Sequence, residues 1–334
     1  MAQALDISIV IPTKDSASAV VELLKGLERS GTLKVSTEVV VVDDGSKSQT
    51  EMQKLADLKA KYPDHLKVEF LESNLGRFMA RYRGAQIASS RWLLFLDARI
   101  RVPEDFASTL VKNFSEKHML MGSTQIDETQ SVYDLYWKRT HDKIFFRNAQ
   151  AQNAQFFITE SNFEDYVKGT GCLLVPRHEF IRVCEKYKES GLHSDDTYLM
   201  RDLVSVMPIL VTSDFYFLWS PRRSLIPFLL RLWERGPGFA EYHIFEVRGA
   251  FFKVVILGII FLFVNGLTLF ISPASGAWLS LFALFALFFS SVFFSKSVAE
   301  FIRLAPLHVA SLIAYGAGIL WAVCKLGLEK LNSR

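Results

Sequence analysis

Three long apolar runs near the C-terminus constrain the fold of this chain more than any other feature. The runs cover residues 251–271, 276–294 and 304–323. Their only Lys, Arg, His, Asp or Glu side chains are Lys253 and His308. A helix needs ~20 predominantly apolar residues to cross a bilayer, and each run has about that length. Buried core helices of a large soluble protein are the alternative, but three consecutive segments with so little charge argue against it. We therefore predict a membrane domain over residues 249–334 with three transmembrane helices.

The charges between the runs predict the orientation of this domain. The connection 271–276 carries none, whereas 295–303 holds Lys296 and Arg303. Because short cytoplasmic loops are enriched in Lys and Arg, the second connection should face the cytosol. The large N-terminal part is then cytosolic, and the protein is a multi-pass protein of the cell membrane. The basic C-terminal end fits this rule less well, since three spans place it outside.

The first hundred residues alternate between strand-like and helical patterns. Continuous apolar runs predict strands at 7–11, 38–42, 67–71 and 91–97, and helical spacing of apolar residues predicts helices at 18–29, 49–61 and 77–88. This alternation predicts an α/β, Rossmann-like fold with a mostly parallel sheet. A net charge of +3 is too small to favour nucleic acid as a partner. The three cysteines have neither metal-ligand nor disulfide spacing, which fits a reducing compartment.

Polar residues follow three of the predicted strands. Thr13 and Asp15 follow the first, Asp43 and Asp44 the second, and Asp97 the fourth. In open α/β sheets, ligands bind beyond the carboxyl ends of the strands, where a carboxylate can accept hydrogen bonds from a ribose. Asp44 alone could be a turn residue, but three sets at successive strand ends point to a nucleotide site. No glycine-rich phosphate loop follows the first strand, so a cation or an arginine must neutralise any phosphates.

The order and spacing of several short motifs carry a resemblance. They are Ile-Val-Ile-Pro-Thr at 9–13, Val-Val-Asp-Asp-Gly-Ser at 41–46, Asn74-x-Gly76 with Ala80-Arg81, Phe-Leu-Asp-Ala at 95–98, Gly-Thr-Gly at 169–171, His-Ser-Asp-Asp at 193–196, Pro-Arg-Arg-Ser at 221–224 and Arg231-x-Trp233-x-Arg235-Gly236. In these motifs the chain resembles membrane-bound, inverting family-2 glycosyltransferases of GT-A fold. The resemblance covers about residues 5–240 and is weakest over 115–168. It implies a GT-A nucleotide-sugar domain over residues 1–220.

The resemblance implies a role for most of these positions. The residues implied in donor binding are Pro12, Thr13, Asp15, Asp44, Arg81 and Asp97, with Arg99 beside them. Those implied on the acceptor and diphosphate side are Gly169, Thr170, Gly171, Arg231, Trp233 and Arg235. Asp196 would be the catalytic base and Asp195 the second choice, although a capping pair at a helix N-terminus is the alternative. Asp97 would be a metal ligand. His193 could be a metal ligand, a phosphate contact or a surface histidine.

Arg99 departs from the family pattern, in which an acid two residues after Asp97 commonly binds the metal. Three hypotheses follow. Arg99 could clamp the diphosphate as a fixed cation in place of the metal. A divalent ion, Mg or Mn, could still bind through Asp97, the diphosphate and water. The site could also have lost its activity, although the acids at 195–196 and the arginines that follow argue against this.

Residues 221–248 predict an amphipathic segment at the membrane interface. Apolar side chains over 225–233 are interspersed with Arg231 and Arg235, shortly before the first span. Such a helix lies in the interface plane with its apolar face towards the lipid. A domain-packing helix is the alternative. We expect Gly236-Pro237-Gly238 to break the helix.

The sequence therefore predicts an inverting glycosyltransferase of hexosyltransferase type. It would move a sugar from a nucleotide-diphosphate donor onto a lipid-linked or other membrane-associated glycan at the cytosolic face, as in polysaccharide biosynthesis. Transfer directly onto polyprenyl phosphate differs only in the acceptor, and residues 115–168 do not separate the two. A catalytically silent nucleotide-sugar-binding membrane subunit and a small transporter are hypotheses from other classes. The expected partners are the donor, the acceptor and the membrane, and formation of a homo-oligomer stays open.

Overall fold

The computed structural model describes residues 5–144, 155–166, 169–190, 195–246 and 250–332. The chain forms two compact units. The first comprises Met1–Asp127, Phe145–Gly191 and Asp195–Ser220, and the second comprises Glu128–Ile144, Leu192–Ser194 and Pro221–Arg334. A stretch in the middle of the sequence thus belongs to the same unit as the C-terminal helices.

Twelve α-helices lie within the described residues. They are α1 Ala17–Arg29, α2 Thr32–Val35, α3 Gln49–Lys61, α4 Arg77–Ile87, α5 Phe106–Asn113, α6 Val132–Ile144, α7 Arg177–Tyr187, α8 Asp195–Val206, α9 Leu225–Phe239, α10 Ala250–Ile271, α11 Pro273–Ser290 and α12 Val298–Asn332. Short 3-10 helices cover Glu160–Asp165 and Ser291–Phe294, and a π-helix covers Ala240–Glu246.

A mixed sheet forms the centre of the first unit. Its strands, within the described residues, are β1 Ile7–Thr13, β2 Glu38–Asp43, β3 Leu66–Phe70, β4 Trp92–Leu96, β5 Ile100–Arg101, β6 Met119–Gln125, β7 Phe156–Ile158, β8 Cys172–Pro176 and β9 Ile209–Trp219. Their order is β3-β2-β1-β4-β8-β6-β9-β5, and β7 also pairs with β9. The predicted α/β fold is confirmed, but the sheet is mixed rather than mostly parallel, since four of its eight described strand pairings are antiparallel. Each strand and helix predicted in the first hundred residues is present with ends shifted by at most two residues.

Helices cover both faces of the sheet because the strands are apolar on both sides. Alternate residues of β1 illustrate this, since Ile9 and Ile11 join one core while Val10 joins the other. The first core receives side chains from α1, α3 and α5, and the second from α4, α7 and α8. A parallel strand buried on both faces reads as a continuous apolar run rather than an alternating one.

Strand β8 brings a distant segment to the carboxyl ends of the parallel strands. β1 to β4 are parallel, but β8 is antiparallel to β4, with Cys172 opposite Leu96. Because β8 runs the other way, its first residue lies where β4 ends. Residues 169–171, which precede β8, therefore lie beside Asp97, which follows β4.

The second unit contains the apolar helices. Within the described residues, Phe252–Ile271, Pro273–Phe294 and Val298–Lys325 are long and apolar enough to cross a membrane, judged by length and composition. The three predicted helices are thus present, but the third begins at Val298 rather than at residue 304. The hydroxyl of Ser297 accepts the backbone N–H of Glu300 at 3.2 Å and caps this polar first turn, which an apolar run alone does not reveal.

Helix α9 does not end at Gly236-Pro237-Gly238, and the expectation that this segment breaks the helix is wrong. The helix continues to Phe239, with Pro237 inside it. Pro237 lacks the N–H that the carbonyl of Trp233 would accept. A Cβ atom on Gly318 would lie 2.2 Å from that carbonyl oxygen, and one on Gly236 would lie 2.4 Å from the backbone of Gly318. Glycine on both helices allows this close crossing of α9 and α12.

Candidate active site at the carboxyl ends of the strands

The ends of β1 and β2 are joined through one serine. The hydroxyl of Ser46 donates to Asp43 Oδ1 at 2.5 Å and accepts the backbone N–H of Asp15 at 2.7 Å. Asp15 Oδ1 in turn accepts the backbone N–H of Lys47 at 3.1 Å. Asp15 has a φ of 46°, which aspartate tolerates better than most residues. These bonds fix the backbone beyond Pro12 and Thr13, both of which are buried in β1.

Asp44 holds the turn that leads into α4. The residue is 4% exposed, and its carboxylate accepts the backbone N–H groups of Leu75 at 2.7 Å and Gly76 at 3.0 Å. The Asn74 amide lies between Asp44 Oδ2 and Lys14 Nζ, at 2.7 and 2.8 Å. Since a carboxylate only accepts and an ammonium only donates, the amide nitrogen faces Asp44. Asp44 therefore acts as a turn residue, which was one of the two roles expected from the sequence. A contact of Asp44 with a nucleotide stays a prediction.

Arg81 connects two acids that lie far apart in sequence. Its Nη2 donates to Asp97 Oδ1 at 2.8 Å, and its Nη1 donates to Asp196 Oδ1 at 3.0 Å. The arginine side chain is 1% exposed, whereas Asp97 and Asp196 are 33% and 28% exposed. The structure therefore brings together the predicted donor-side acid and the predicted base, each open to solvent on one side.

The Gly-Thr-Gly segment lies against Asp97, as the antiparallel β8 requires. The backbone N–H of Asp97 donates to the carbonyl of Gly171 at 2.8 Å, and a Cβ atom on Gly171 would lie 3.2 Å from Asp97 Oδ2. The hydroxyls of Thr13 and Thr170 are buried without a hydrogen-bond partner in the described part of the chain. Burial and the neighbouring Asp97 raise the pKa of the Cys172 thiol, so this cysteine stays neutral.

Arg99 lies at the rim of the same edge. Its side chain is exposed, and Nη2 donates to the hydroxyl of Ser16 at 3.1 Å, just before α1. Among the described residues, no group of three or more His, Cys, Asp or Glu side chains could hold a metal ion by itself. His193 lies outside the described residues, and of Asp195 only the backbone position at the start of α8 is described.

The predicted acceptor-side residues of α9 belong to the second unit. Arg231 pairs with Glu234 at 3.1 Å, the ring of Trp233 lies 5.4 Å from that of Trp321, and Arg235 lies 5.0 Å above the ring of Trp137. These contacts explain how α9 is held within its own unit. A role on the acceptor side stays a prediction.

Sequence reasoning missed Ser16 and Ser46, and it placed Arg81 only with the nucleotide. Ser46 had a signal, since it ends the Asp-Asp-Gly-Ser motif at 43–46. Nothing in the sequence pairs Arg81 with Asp196, which is 115 residues away.

The fold and the acids at this edge define an α/β domain of the type that binds ligands beyond its strand ends. Residues 8–170 match the model of glycosyl transferase family 2. The chain therefore contains a glycosyltransferase domain of that family, and the domain has a GT-A-like fold.

The relatives are glycosyltransferases. Over 108 residues the chain is 32% identical to validoxylamine A glucosyltransferase of Streptomyces hygroscopicus subsp. jinggangensis (strain 5008), a match over 31% of this chain and 24% of that protein. The same enzyme of subspecies limoneus is also 32% identical over 108 residues, 23% of its length. The chain thus spans about a quarter of the curated relatives it matches.

A solved structure resembles nearly the whole chain in fold. It is the mannosyltransferase PcManGT from Pyrobaculum calidifontis in complex with GDP-Man and Mn2+, with a TM-score of 0.52 and 14% identity, covering 96% of this chain and 88% of that one. At this identity, the likeness concerns the fold alone.

Proposed function

We propose that the protein is an inverting glycosyltransferase that moves a sugar from a nucleoside diphosphate donor onto an acceptor at the membrane. One observation carries the proposal. Arg81 and Asp97 lie within the segment that matches glycosyl transferase family 2. The guanidinium of Arg81 holds Asp97 together with Asp196, and each acid is partly open to solvent. One acid is available for the donor and the other for the acceptor.

The transfer is a single displacement. Asp196 accepts the proton of the acceptor hydroxyl, the hydroxyl oxygen forms a bond to the anomeric carbon, and the bond from that carbon to the diphosphate breaks. A positioned carboxylate base contributes roughly 10²–10⁴-fold to such a step. Because the sugar is attacked once, from the side opposite the leaving group, its anomeric configuration inverts.

A divalent cation fits the donor side, with Asp97 as its protein ligand. Mg²⁺ is commonly bound by one or two carboxylates together with substrate phosphates and water, so a set with one carboxylate is sufficient. The buried hydroxyls of Thr13 and Thr170, which have no partner in the described residues, are further oxygen donors at this edge. When bound, Mg²⁺ or Mn²⁺ would offset the charge on the departing diphosphate. Arg99 would add a fixed positive charge from the rim.

The acceptor is proposed to be lipid-linked. Besides the three apolar helices, α9 exposes Leu225, Ile226 and Leu230 at 49%, 70% and 51%. Exposed apolar residues on an amphipathic helix favour a position in the membrane interface. The basic residues Lys296 and Arg303 support a cytosolic site. A lipid-linked glycan is the proposed acceptor, and polyprenyl phosphate is the alternative of the same class.

Release of nucleoside diphosphate by the full-length protein in lipid nanodiscs tests the function. The protein is incubated with a panel of nucleotide-sugars and either a lipid-linked glycan or polyprenyl phosphate. We expect Asp196→Asn to lose at least 10²-fold in kcat. Asp202→Asn, the same change on the same helix at a residue bound to Tyr187, is the matched control and should retain activity.

Other outcomes would replace the proposal. Tight binding of a donor without turnover would indicate a silent nucleotide-sugar-binding subunit. Equal rates for Asp196→Asn and wild type would show that Asp196 is not the base. Activity that survives chelation of divalent ions, and that is lost in the Arg99→Ala variant, would show that Arg99 neutralises the charge of the diphosphate.

A further inference from the structure

We propose that Arg81 is a positioning residue, which holds the donor-side Asp97 and the base Asp196 on one guanidinium and so sets their separation. The proposal rests on the proposed function, because it assigns Arg81 a role in the same site. It differs from the role implied by the sequence resemblance, in which Arg81 holds the nucleotide.

The position of α4 directs Arg81 towards the acids. The helix begins at Arg77, after the turn held by Asp44, and packs tightly on the sheet. A Cβ atom on Gly84 would lie 2.4 Å from Val10 Cγ1, so only glycine allows this approach. Arg81 lies one turn before Gly84 on the helix, and its guanidinium reaches Asp97, the residue that follows β4.

Burial indicates that Arg81 acts through other side chains. At 1% exposure it is the largest fully buried side chain of the described residues, whereas the carboxylates that it binds are about 30% exposed. A ligand that enters from solvent therefore meets Asp97 and Asp196 before it meets the guanidinium. Arginine suits this position because its terminal nitrogens have a fixed spacing and each can donate to a different carboxylate.

The charges explain why a cation is needed. Two carboxylates at one site disfavour each other's ionised form, and a positive charge beside both favours it. The base must be ionised to accept a proton from the acceptor. Arg81 thus places a fixed positive charge beside both acids and fixes the distance between the donor side and the base.

Two substitutions separate charge from geometry. Arg81→Met removes the positive charge and the bridge between the two carboxylates. We expect kcat to fall ~10²-fold and the acidic limb of the pH profile of kcat to move to higher pH. Arg81→Lys keeps the charge but cannot bridge two carboxylates in the same way, so we expect at least a ~10-fold loss in kcat with the acidic limb near its wild-type position. The matched control is Arg83→Met on the same helix, where the arginine is 47% exposed and pairs with Glu69 at 3.0 Å.

A change in donor KM alone, with kcat and the pH profile unchanged, would overturn the proposal and assign Arg81 to the nucleotide. Activity of Arg81→Met equal to that of Arg83→Met would overturn it as well. Both acids are partly solvated, so they can be hydrated when the arginine is removed, and the thermal midpoints of all variants verify folding.

A second measurement does not depend on turnover. If no donor is turned over by the wild type, the proposed function fails, and the inference on Arg81 is then judged from thermal midpoints. Residues that interact directly give non-additive effects. We therefore expect Arg81→Met to lower the midpoint less in the Asp196→Asn background than in the wild type. Equal losses in both backgrounds would overturn the bridging role.

Discussion

A methyl group on Gly171 is expected to slow sugar transfer by displacing the Asp97 carboxylate. A Cβ atom built on Gly171 lies 3.2 Å from Asp97 Oδ2, closer than the 3.4–4 Å of ordinary van der Waals contact. Gly171 has no positive φ, so alanine adds no backbone strain there. The carboxylate cannot retreat freely, because its other oxygen accepts from Arg81 at 2.8 Å.

The size of the effect follows from the distances. The carboxylate must move by a few tenths of an ångström to restore normal contact. A displacement of about 1 Å at a reacting centre costs ~10²-fold in rate. If the activation free energy of transfer rises in proportion to the displacement, a shift of about 0.3–0.5 Å lowers kcat roughly 4- to 10-fold. The free energy of unfolding should change by less than about 1 kcal/mol, since a small shift of a partly solvated carboxylate leaves the core unchanged.

Gly266→Ala is the control, because no described atom lies within 4 Å of its Cβ position and the residue lies in α10, outside the candidate site. The assay compares kcat and donor KM of both variants for nucleoside diphosphate release, with thermal midpoints to verify folding. A rate of Gly171→Ala within twofold of that of Gly266→Ala would refute the reasoning that the position of Asp97 controls transfer.

Three further predictions concern stability. Burial raises the pKa of Glu38, but hydrogen bonds from Lys67 and other partners outweigh it and lower the pKa from 4.5 to about 2. The stabilisation is therefore present above about pH 4.5 and is lost as the pH falls towards 2. Glu38→Gln should cost about 1–2 kcal/mol at pH 7 after allowance for solvent screening, and its deficit in thermal midpoint should narrow below pH 4.5; a constant deficit would contradict this. Gly45 has a φ of 66° and a Cβ atom there would lie 2.5 Å from the backbone of Ser73, so Gly45→Ala should cost about 2–4 kcal/mol and weaken nucleotide binding measured by calorimetry. Unchanged nucleotide binding in this variant would show that the turn at Gly45 does not support the nucleotide site. Arg139 is 4% exposed between two glutamates of its own unit, and Arg139→Met should destabilise that unit by about 3 kcal/mol in detergent unfolding; an unchanged midpoint would show that the ion pairs contribute nothing.

Much of the fold could be predicted from sequence because its signals are local. The strands of the first hundred residues are short apolar runs, and each side chain in such a run is selected by burial on both faces of a sheet. Because Asp15, Asp44 and Asp97 each follow one of these strands, the strand pattern predicts that they lie at the same edge of the sheet. The three apolar helices could be predicted equally directly, because their length and their lack of charge are visible in the sequence.

The features that could not be predicted depend on contacts between segments that are distant in sequence. No local pattern shows that β8 is antiparallel, yet this direction places Gly171 beside Asp97. The local pattern at Gly236-Pro237-Gly238 also does not show that α9 continues through Pro237, where Gly318 of α12 packs closely against it.

The acids after the apolar runs and the three apolar helices can be read from the chain alone. The contacts that those acids make with other residues depend on the tertiary structure. Arg81 is joined to Asp196 across 115 residues, and Asp44 is committed to the backbone of a turn 31 residues away. Hydrogen bonds and ion pairs of this kind depend on distance in space, which a sequence pattern does not contain, whereas burial and apolar length are properties that each segment carries alone.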